Sequence, residues 1–243
     1  IITTTPKPSE LLKGLLNNKD IHITKGSTFD NIDNLAKSAV DKLKEKYEGT
    51  RLGRQELYAE VLEDIEGALW NYKQIDELRI NKNNMPELRR IVIAIDPAVT
   101  SNEKSDETGI IVAGVDEHNK YYILEDVSGK YSPDNWVRLA IEQFYRYNAN
   151  MIVAETNNGG DLVERLIRTV DTKVPYKKVT ATRGKILRAE PVSALYEQKK
   201  VFHTDIFKEL ENQMCTYTGE AGKSPDRLDA LVWAITELSS SSR

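Results

Sequence analysis

Five consecutive apolar residues at positions 91–95 constrain the fold of this chain more than any other feature. Most of them are β-branched, which favours a strand, and the run shows no polar alternation, which is typical of a strand covered on both faces. The run stops at Asp96-Pro97. The sequence therefore predicts a buried central strand that ends at an acidic residue.

Four further strands are predicted, at residues 109–115, 120–127, 151–154 and 176–180. Residues 116–119 have the composition of a hairpin turn, so the first three strands should form an antiparallel meander. Amphipathic helices before and after the fourth strand predict right-handed crossovers to parallel strands. The expected fold is α/β, with a mixed five-stranded sheet and helices on both faces.

The first 88 residues differ from the rest in their pattern of apolar residues, which is mainly helical. Residues 1–8 form a short apolar run stopped by two prolines, and helices are predicted at about 9–17, 30–48 and 53–69, with Asp30 as a cap of the second. Residues 70–88 are polar and lose periodicity, so they are predicted to be a linker. The chain lacks an initiator Met and is expected to be the C-terminal part of something longer.

Composition excludes several classes of protein. One Cys allows neither a disulfide framework nor a thiolate zinc site. No stretch approaches about 18 uninterrupted apolar residues and the first residues do not have the pattern of a secretory signal, which predicts an intracellular protein without a membrane partner. The net charge of −4 argues against a generally basic nucleic-acid coat, so any nucleic-acid contact must be local.

Three acidic residues lie at positions where α/β folds commonly have their active sites, beyond the carboxyl ends of the strands. Asp96 follows the first predicted strand and Glu155 follows the fourth. The carboxyl ends of parallel neighbouring strands, about 4.8 Å apart, meet at one edge of a sheet. Asp229 lies on the last predicted helix, at about 100° from Leu228 and beside its apolar stripe, so it can reach toward the sheet. We expect the three carboxylates to share one site.

Crowded carboxylates repel one another, which is tolerated only if they share protons or bind a divalent cation. Ligand sets made of oxygen alone favour Mg²⁺ or Mn²⁺ over zinc. Two such ions, roughly 3.5–4 Å apart, would activate a water and stabilise the leaving oxygen of a phosphodiester. Each residue alone has a simpler interpretation, since an Asp before Pro97 is typical of a turn and Asp226 is typical of a helix N-terminus.

Three motifs resemble the nuclease domain of the large terminase subunit of tailed bacteriophages and prophages, over about residues 89–238. They are Ile95-Asp96-Pro97-Ala98 with Ser105-Asp106-Glu107-Thr108-Gly109, then Val153-Ala154-Glu155-Thr156-Asn157-Asn158-Gly159-Gly160, and Ser224-Pro225-Asp226-Arg227-Leu228-Asp229-Ala230-Leu231-Val232-Trp233-Ala234. The resemblance implies a ribonuclease-H-like fold and a metal-dependent endonuclease that cuts concatemeric viral DNA at the start and end of packaging.

The resemblance also implies roles for individual residues and partners. Carried over by position, Asp96, Glu155 and Asp229 would be catalytic ligands of two Mg²⁺ or Mn²⁺ ions, with Asp226 and Asp106 as auxiliary ligands. The implied partners are double-stranded DNA, the small terminase subunit and the portal protein. The implied location is the cytoplasm of a bacterial host, at the procapsid portal during packaging.

Upstream segments extend the resemblance and suggest the domain limits. Residues 3–6 resemble the coupling motif at the end of the terminase ATPase domain, and residues 25–28 and 47–51 resemble the segment that joins ATPase to nuclease. We expect an ATPase remnant at 1–29, a helical connector and linker at 30–88, and the nuclease domain at 89–243. Residues 222–224 are the only P-loop-like fragment, but Tyr217 stands where a glycine is required, so no ATPase site is expected here.

Positive charge concentrates in one segment. Residues 173–200 hold eight Lys or Arg against Glu190 and Glu197. Arg183, Lys185 and Arg188 follow the fifth predicted strand, whose end should lie on the edge that carries Glu155, so they are candidates for contacting DNA phosphates. The alternative is a solvated helix face.

Other chemistries fit the sequence less well. An aspartyl-phosphate phosphatase requires a second Asp two residues after Asp96, where Ala98 stands. Neither a nucleophilic Ser motif nor a context for a reactive Cys215 is present, and the three His have no metal-ligand spacing. A different class stays open, which is a catalytically idle interaction domain that docks to the portal or the small terminase subunit.

Overall fold

The structure is a computed structural model. It describes residues 2–3, 10–38, 40–42, 57–59, 67–97, 107–156, 160–219 and 225–240. The chain divides into two compact units, Ile1–Asp64 and Ile65–Arg243. Within the described residues, no helix is long and apolar enough to cross a membrane.

The first unit contains helix α1 (Glu10–Asn17), as predicted, and a 3-10 helix at Thr28–Asn34. The cap of the 3-10 helix is Ser27, whose hydroxyl accepts from the Asp30 N–H, while the Asp30 carboxylate accepts from the Ser27 N–H at 2.6 Å. The prediction of one helix from about 30 to 48, capped by Asp30, is confirmed only in part. The first turn ends at Leu35, which is extended at φ −104° and ψ 142°, and its cap is Ser27, whereas residues 37–38 and 40–42 are helical as predicted and 43–48 lie outside the described residues. Of the predicted helix at 53–69, residues 57–59 and 67–69 are described and are not helical, and the rest lies outside the described residues.

The second unit contains the sheet and the helices that pack around it. Its strands are β1 (Arg90–Asp96), β2 (Gly109–Val115), β3 (Tyr121–Asp126), β4 (Met151–Glu155), β5 (Tyr176–Val179) and β6 (Val201–His203). Its helices are α2 (Tyr72–Glu77), α3 (Pro133–Arg146), α4 (Gly160–Val170), α5 (Lys185–Glu197), α6 (Lys208–Thr216) and α7 (Asp226–Ser240), with a short 3-10 turn at Lys82–Asn84.

The sheet is mixed, with strand order β5-β4-β1-β2-β3-β6. β1, β2 and β3 form the predicted antiparallel meander, and β4 and β5 join it in parallel as predicted. The sheet has six strands instead of the five expected. The sixth, β6, has only three residues, too few for a periodic signal, and it forms because it pairs in parallel with β3 at the sheet edge.

Helices cover both faces of the sheet. On one face, Ile93 and Ile95 of β1 and Ile152 and Ala154 of β4 pack in an apolar cluster with Trp136 of α3. The opposite face is covered by α7, which packs against β1, β2 and β4. Because successive strand residues point to opposite faces, the residues that alternate with this cluster face α7.

That alternation and the strand register decide where the strand-end carboxylates lie. Ile95 of β1 pairs in parallel with Ala154 of β4, so one step further places Asp96 beside Glu155. Both follow a residue of the α3 face, so both side chains point to the α7 face. The two acids therefore stand next to each other under the helix that carries Asp229.

The first turn of α7 lies directly on β2 at Gly109, which pairs with Asp96 in the neighbouring strand. A Cβ atom added at Gly109 would stand 2.0 Å from the Asp226 carbonyl oxygen and 3.0 Å from the Ala230 Cβ. A side chain at this position would therefore lift the helix off the sheet. Gly109 brings the N-terminus of α7 close enough for its acidic residues to approach the end of β1.

The segment predicted to be a linker packs onto the sheet edge. Trp70, Tyr72, Ile75 and Leu78 are buried. The His203 N–H of β6 donates to the Leu78 carbonyl, and the Ile80 N–H donates to the His203 carbonyl at 2.9 Å. Residues 78–80 thus cover the β6 edge. The domain boundary at residue 88 stays a prediction.

A buried polar network fixes this segment. Arg79 donates to both oxygens of the Glu211 carboxylate, at 2.7 and 3.1 Å, and to Asp76. Glu211 also contacts His203 Nδ1, and His203 Nε2 contacts the Tyr196 hydroxyl at 2.8 Å. Burial by itself would raise the pKa of Glu211, but the hydrogen bond with His203 and the ion pair with Arg79 lower it to about 2.

Replacing Glu211 by Gln should lower the free energy of unfolding by about 3–5 kcal/mol at pH 7, because Arg79 would lose its buried counter-ion. The pKa of Glu211 is lower in the folded chain than its ordinary 4.5, so its stabilisation is complete above pH 4.5 and is lost as pH falls toward 2. Urea unfolding at several pH values measures this. The exposed Glu209→Gln on the same helix is the control. A deficit that did not shrink between pH 5 and pH 3 would contradict the assignment.

Replacing Gly109 by Ala should destabilise the second unit by about 1–3 kcal/mol, because the added methyl meets backbone of α7 that cannot move without lifting the helix. Gly114→Ala in the same strand is the matched control, since its nearest contact is the flexible end of Leu88. Denaturant unfolding measures both variants. Equal stability of the two would show that α7 does not depend on close contact at Gly109.

Candidate active site

Three of the predicted ligands come together at one end of the sheet. Asp96 ends β1, Glu155 ends β4, and Asp229 lies in the first turn of α7. Glu155 and Asp229 are buried, and Asp96 is partly exposed. The structure thus places the three carboxylates as the sequence predicted, on one face of the sheet and under one helix.

The carboxylates are close enough to oppose each other's ionisation. Burial raises the pKa of Asp96 well above its ordinary value, and repulsion from Asp229, Glu155 and Asp226 raises it further. Burial also raises the pKa of Asp229, although two neighbouring cations oppose this rise. A positive charge between these carboxylates would therefore reduce the repulsion that the fold imposes on them.

Lys185 and Arg188, two of the residues predicted to contact DNA, form ion pairs with the carboxylates. Lys185 bonds to Asp229 Oδ2. Arg188 donates from Nη1 to Glu155 Oε2 at 3.1 Å and lies 3.5 Å from Asp229 Oδ1 through Nη2. Burial alone would lower the pKa of Lys185, but its bond to Asp229 and the nearby carboxylates raise it, so Lys185 is charged. Both cations come from the first turn of α5.

The remaining predicted residues are distributed differently. Asp226 is buried at the start of α7 and lies near enough to Asp96 to repel it. Arg183 is exposed in the loop before α5. Asp106 and the Asn157–Gly159 part of the second motif lie outside the described residues. The auxiliary role predicted for Asp106 stays a prediction.

Sequence reasoning missed Trp233, which the structure places in the same cluster. Its indole N–H donates to Glu155 Oε2 at 2.5 Å, and the Arg188 guanidinium lies over its ring at 4.7 Å. Trp233 follows Asp229 by four residues, one helical turn, and this spacing on one face was the available signal.

Sequence reasoning also missed how the acidic start of α7 is anchored. Arg227 donates to Glu107 at 3.0 Å and to Asp126 at the end of β3 at 2.8 Å. The Gln213 side-chain oxygen accepts from the Arg227 and Leu228 backbone N–H groups. These contacts satisfy donors of the first helical turn and fix its position over the sheet.

The donors at this site fit a divalent metal ion in kind. They are carboxylates whose burial and mutual repulsion raise the pKa of Asp96, and a hard cation prefers such oxygen ligands. In the part of the chain that the structure describes, no three His, Cys, Asp or Glu side chains form a ready group for an ion. The described arrangement is one in which Lys185 and Arg188 hold Asp229 and Glu155.

Comparison with solved structures identifies the same fold in phage proteins. The large terminase from a thermophilic bacteriophage is 15% identical, with a TM-score of 0.53, over 86% of this chain and 54% of its own. The nuclease domain of the large terminase subunit gp2 of bacterial virus Sf6 is 10% identical, with a TM-score of 0.52, over 69% of this chain and 98% of its own. A mutant gp2c of the Sf6 large terminase subunit with calcium gives a TM-score of 0.54 at 10% identity, with the same coverage.

At sequence identities of 10–15%, these matches show similarity of fold alone. The chain spans about half the length of the thermophilic-phage terminase. Curated protein sequences give no match. The family described as "Terminase RNaseH-like domain" matches residues 93–238, which is more than half of the chain and includes Asp96, Glu155 and Asp229. The chain therefore belongs to the terminase RNaseH-like domain family, as its motifs indicated.

Proposed function

We propose that this chain is a divalent-metal-dependent endonuclease that cuts double-stranded viral DNA during genome packaging. The observation that carries the proposal is the meeting of Asp96, Glu155 and Asp229 at one sheet end, in a member of a terminase family. Their acidic side chains, brought together by the register of β1 and β4 and by the docking of α7, suit phosphodiester hydrolysis better than any other chemistry weighed for this chain.

Asp96, Glu155 and Asp229 would hold the metal, and Asp226 and Asp106 would assist. The proposed cofactor is a pair of Mg²⁺ or Mn²⁺ ions, whose chemistry when bound is to lower the pKa of a water and to neutralise charge on the leaving oxygen. The calcium named for the Sf6 domain supports a preference for oxygen-binding divalent cations in this fold. Burial of Glu155 and Asp229 limits competition from bulk water.

Lys185 and Arg188 would serve as built-in counter-ions that keep the carboxylates together before a metal binds. Lys185 is the more accessible of the two, with 37% of its side chain exposed against 10% for Arg188. We propose that Lys185 exchanges Asp229 for a DNA phosphate, with the exposed Arg183 beside it. Arg188 would contact phosphate only if it left Glu155.

The chain would act as part of a larger terminase. On the proposed limits, residues 1–29 are a remnant of the ATPase domain, 30–88 the connector and 89–243 the nuclease. Its partners would be the small terminase subunit and the portal protein, in the cytoplasm of the bacterial host at the procapsid portal. Support comes from the structural likeness to the thermophilic-phage large terminase, about half of whose length this chain covers.

Asp96→Asn and Asp229→Asn should each abolish cleavage of supercoiled plasmid in Mg²⁺ or Mn²⁺, because they remove the negative charge that holds the ions while keeping the side-chain size. Asp134→Asn is the matched control, since Asp134 forms a surface pair with Arg138 on α3, on the opposite face of the sheet. Circular dichroism checks that all variants are folded.

Two results would contradict the nuclease proposal. Cleavage that survives EDTA would exclude a metal mechanism, and full activity of both site variants would exclude these carboxylates. Absence of cleavage in every ion by a folded wild-type chain would favour the idle interaction domain.

The Arg183→Ala/Lys185→Ala double variant should bind duplexes of all sequences more weakly, because phosphate contacts carry no sequence information. The slope of log affinity against log salt should fall by about 0.9 per lost contact. Fluorescence anisotropy with two unrelated duplexes measures this. Lys73→Ala/Lys82→Ala is the control, because these lysines lie in the segment that packs at the β6 edge of the sheet. An unchanged slope would indicate that Arg183 and Lys185 form only a solvated face.

A further inference from the structure

Trp233 has contacts that apolar packing does not explain. It lies on α7 one turn after Asp229 and is 8% exposed. Its indole nitrogen donates to Glu155 Oε2 at 2.5 Å, a hydrogen bond to a buried carboxylate. A phenyl ring would fill similar space without a donor. The indole therefore supplies a specific polar contact to one of the proposed metal ligands.

The face of the same ring carries a second contact. The Arg188 guanidinium lies 4.7 Å from the ring centroid, a distance typical of a cation–π interaction. Arg188 also donates to Glu155 Oε2 at 3.1 Å, the oxygen that Trp233 bonds. One carboxylate oxygen thus receives two donors, and the ring positions one of them. These contacts restrict the rotation of the Glu155 side chain.

A second tryptophan provides a comparison within the chain. Trp136 of α3 is 4% exposed and packs in the apolar cluster on the opposite face of the sheet. The two residues bury similar rings against the same sheet, but only Trp233 lies on the carboxylate face. The loss of an indole can therefore be compared at two buried positions.

We propose that Trp233 is a positioning residue for the metal centre, which orients the Glu155 carboxylate and holds Arg188 beside it. This inference rests on the proposed function, because it concerns the same site. Trp233 does not contact the ions or the substrate in this role and acts through Glu155. Donors that orient a metal ligand commonly change metal affinity 10–100-fold when they are removed.

Mn²⁺ titration of the full chain tests the proposal. Trp233→Phe should weaken Mn²⁺ binding by about 10-fold or more, because Glu155 loses its fixed orientation. Trp136→Phe should leave Mn²⁺ affinity unchanged, although it also removes a buried indole. The free Mn²⁺ signal in electron paramagnetic resonance measures the affinity, and thermal unfolding confirms that each variant is folded.

The indole N–H resonances test the position of Trp233 without altering it. The chain has three Trp, so a nitrogen-15 spectrum should contain three indole signals, and Trp136→Phe and Trp233→Phe assign two of them. Bound Mn²⁺ broadens nearby signals first. In the wild-type chain the Trp233 signal should therefore disappear at a lower Mn²⁺ concentration than the Trp136 signal.

The possible outcomes separate this inference from the proposed function. Wild-type affinity in a folded Trp233→Phe variant would overturn the role of Trp233 and leave the metal centre standing. Simultaneous broadening of the two signals would place the ion away from Glu155 and overturn both proposals. A wild-type chain that binds no Mn²⁺ would overturn both. Weaker binding by Trp233→Phe alone, together with early broadening of its signal, supports the inference.

Discussion

Repulsion between three carboxylates is the interaction that the surrounding structure has to offset. Asp96 and Glu155 end adjacent parallel strands, and Asp229 is brought against them by a buried helix. Burial and mutual repulsion raise the pKa of Asp96 well above its ordinary value. A fold gains nothing in stability from such crowding, so the cost must be offset by positive charge nearby.

Two local features of the fold hold the carboxylates close together. Gly109 lets the first turn of α7 rest on β2, and Arg227 fixes that turn to the end of β3 through Asp126. Lys185 and Arg188 then supply positive charge at Asp229 and Glu155. A metal ion would supply the same charge at higher density. We propose that the two cations keep the site assembled until a metal ion binds and Lys185 leaves Asp229.

Local sequence patterns predicted most strands and the positions of the three carboxylates. Contacts between residues far apart in the chain could not be predicted from these patterns. The apolar runs of β1, β2 and β4 are continuous, so those strands were predictable, whereas β6 depends on pairing with β3 and has only three residues. The positions of Asp96 and Glu155 were predicted correctly, because each follows an apolar run and the ends of neighbouring parallel strands lie side by side. The role of Trp233 depends on Glu155, 78 residues away in the chain, and the pairing of Lys185 with Asp229 spans 44 residues. The one-turn spacing places Trp233 on the helix face of Asp229, but no periodicity identifies contact partners so far apart in the chain. The packing of residues 70–88 on the β6 edge was not predicted for the same reason.

The most direct test is a crystal structure of the chain grown with Mn²⁺, with data collected at the manganese absorption edge. We expect anomalous peaks between Asp96, Glu155 and Asp229, with Lys185 withdrawn from Asp229 and Trp233 still bonded to Glu155. Anomalous peaks elsewhere, or Lys185 and Arg188 still bonded to the carboxylates with no peak among them at saturating Mn²⁺, would contradict the central claim that this cluster is a metal centre.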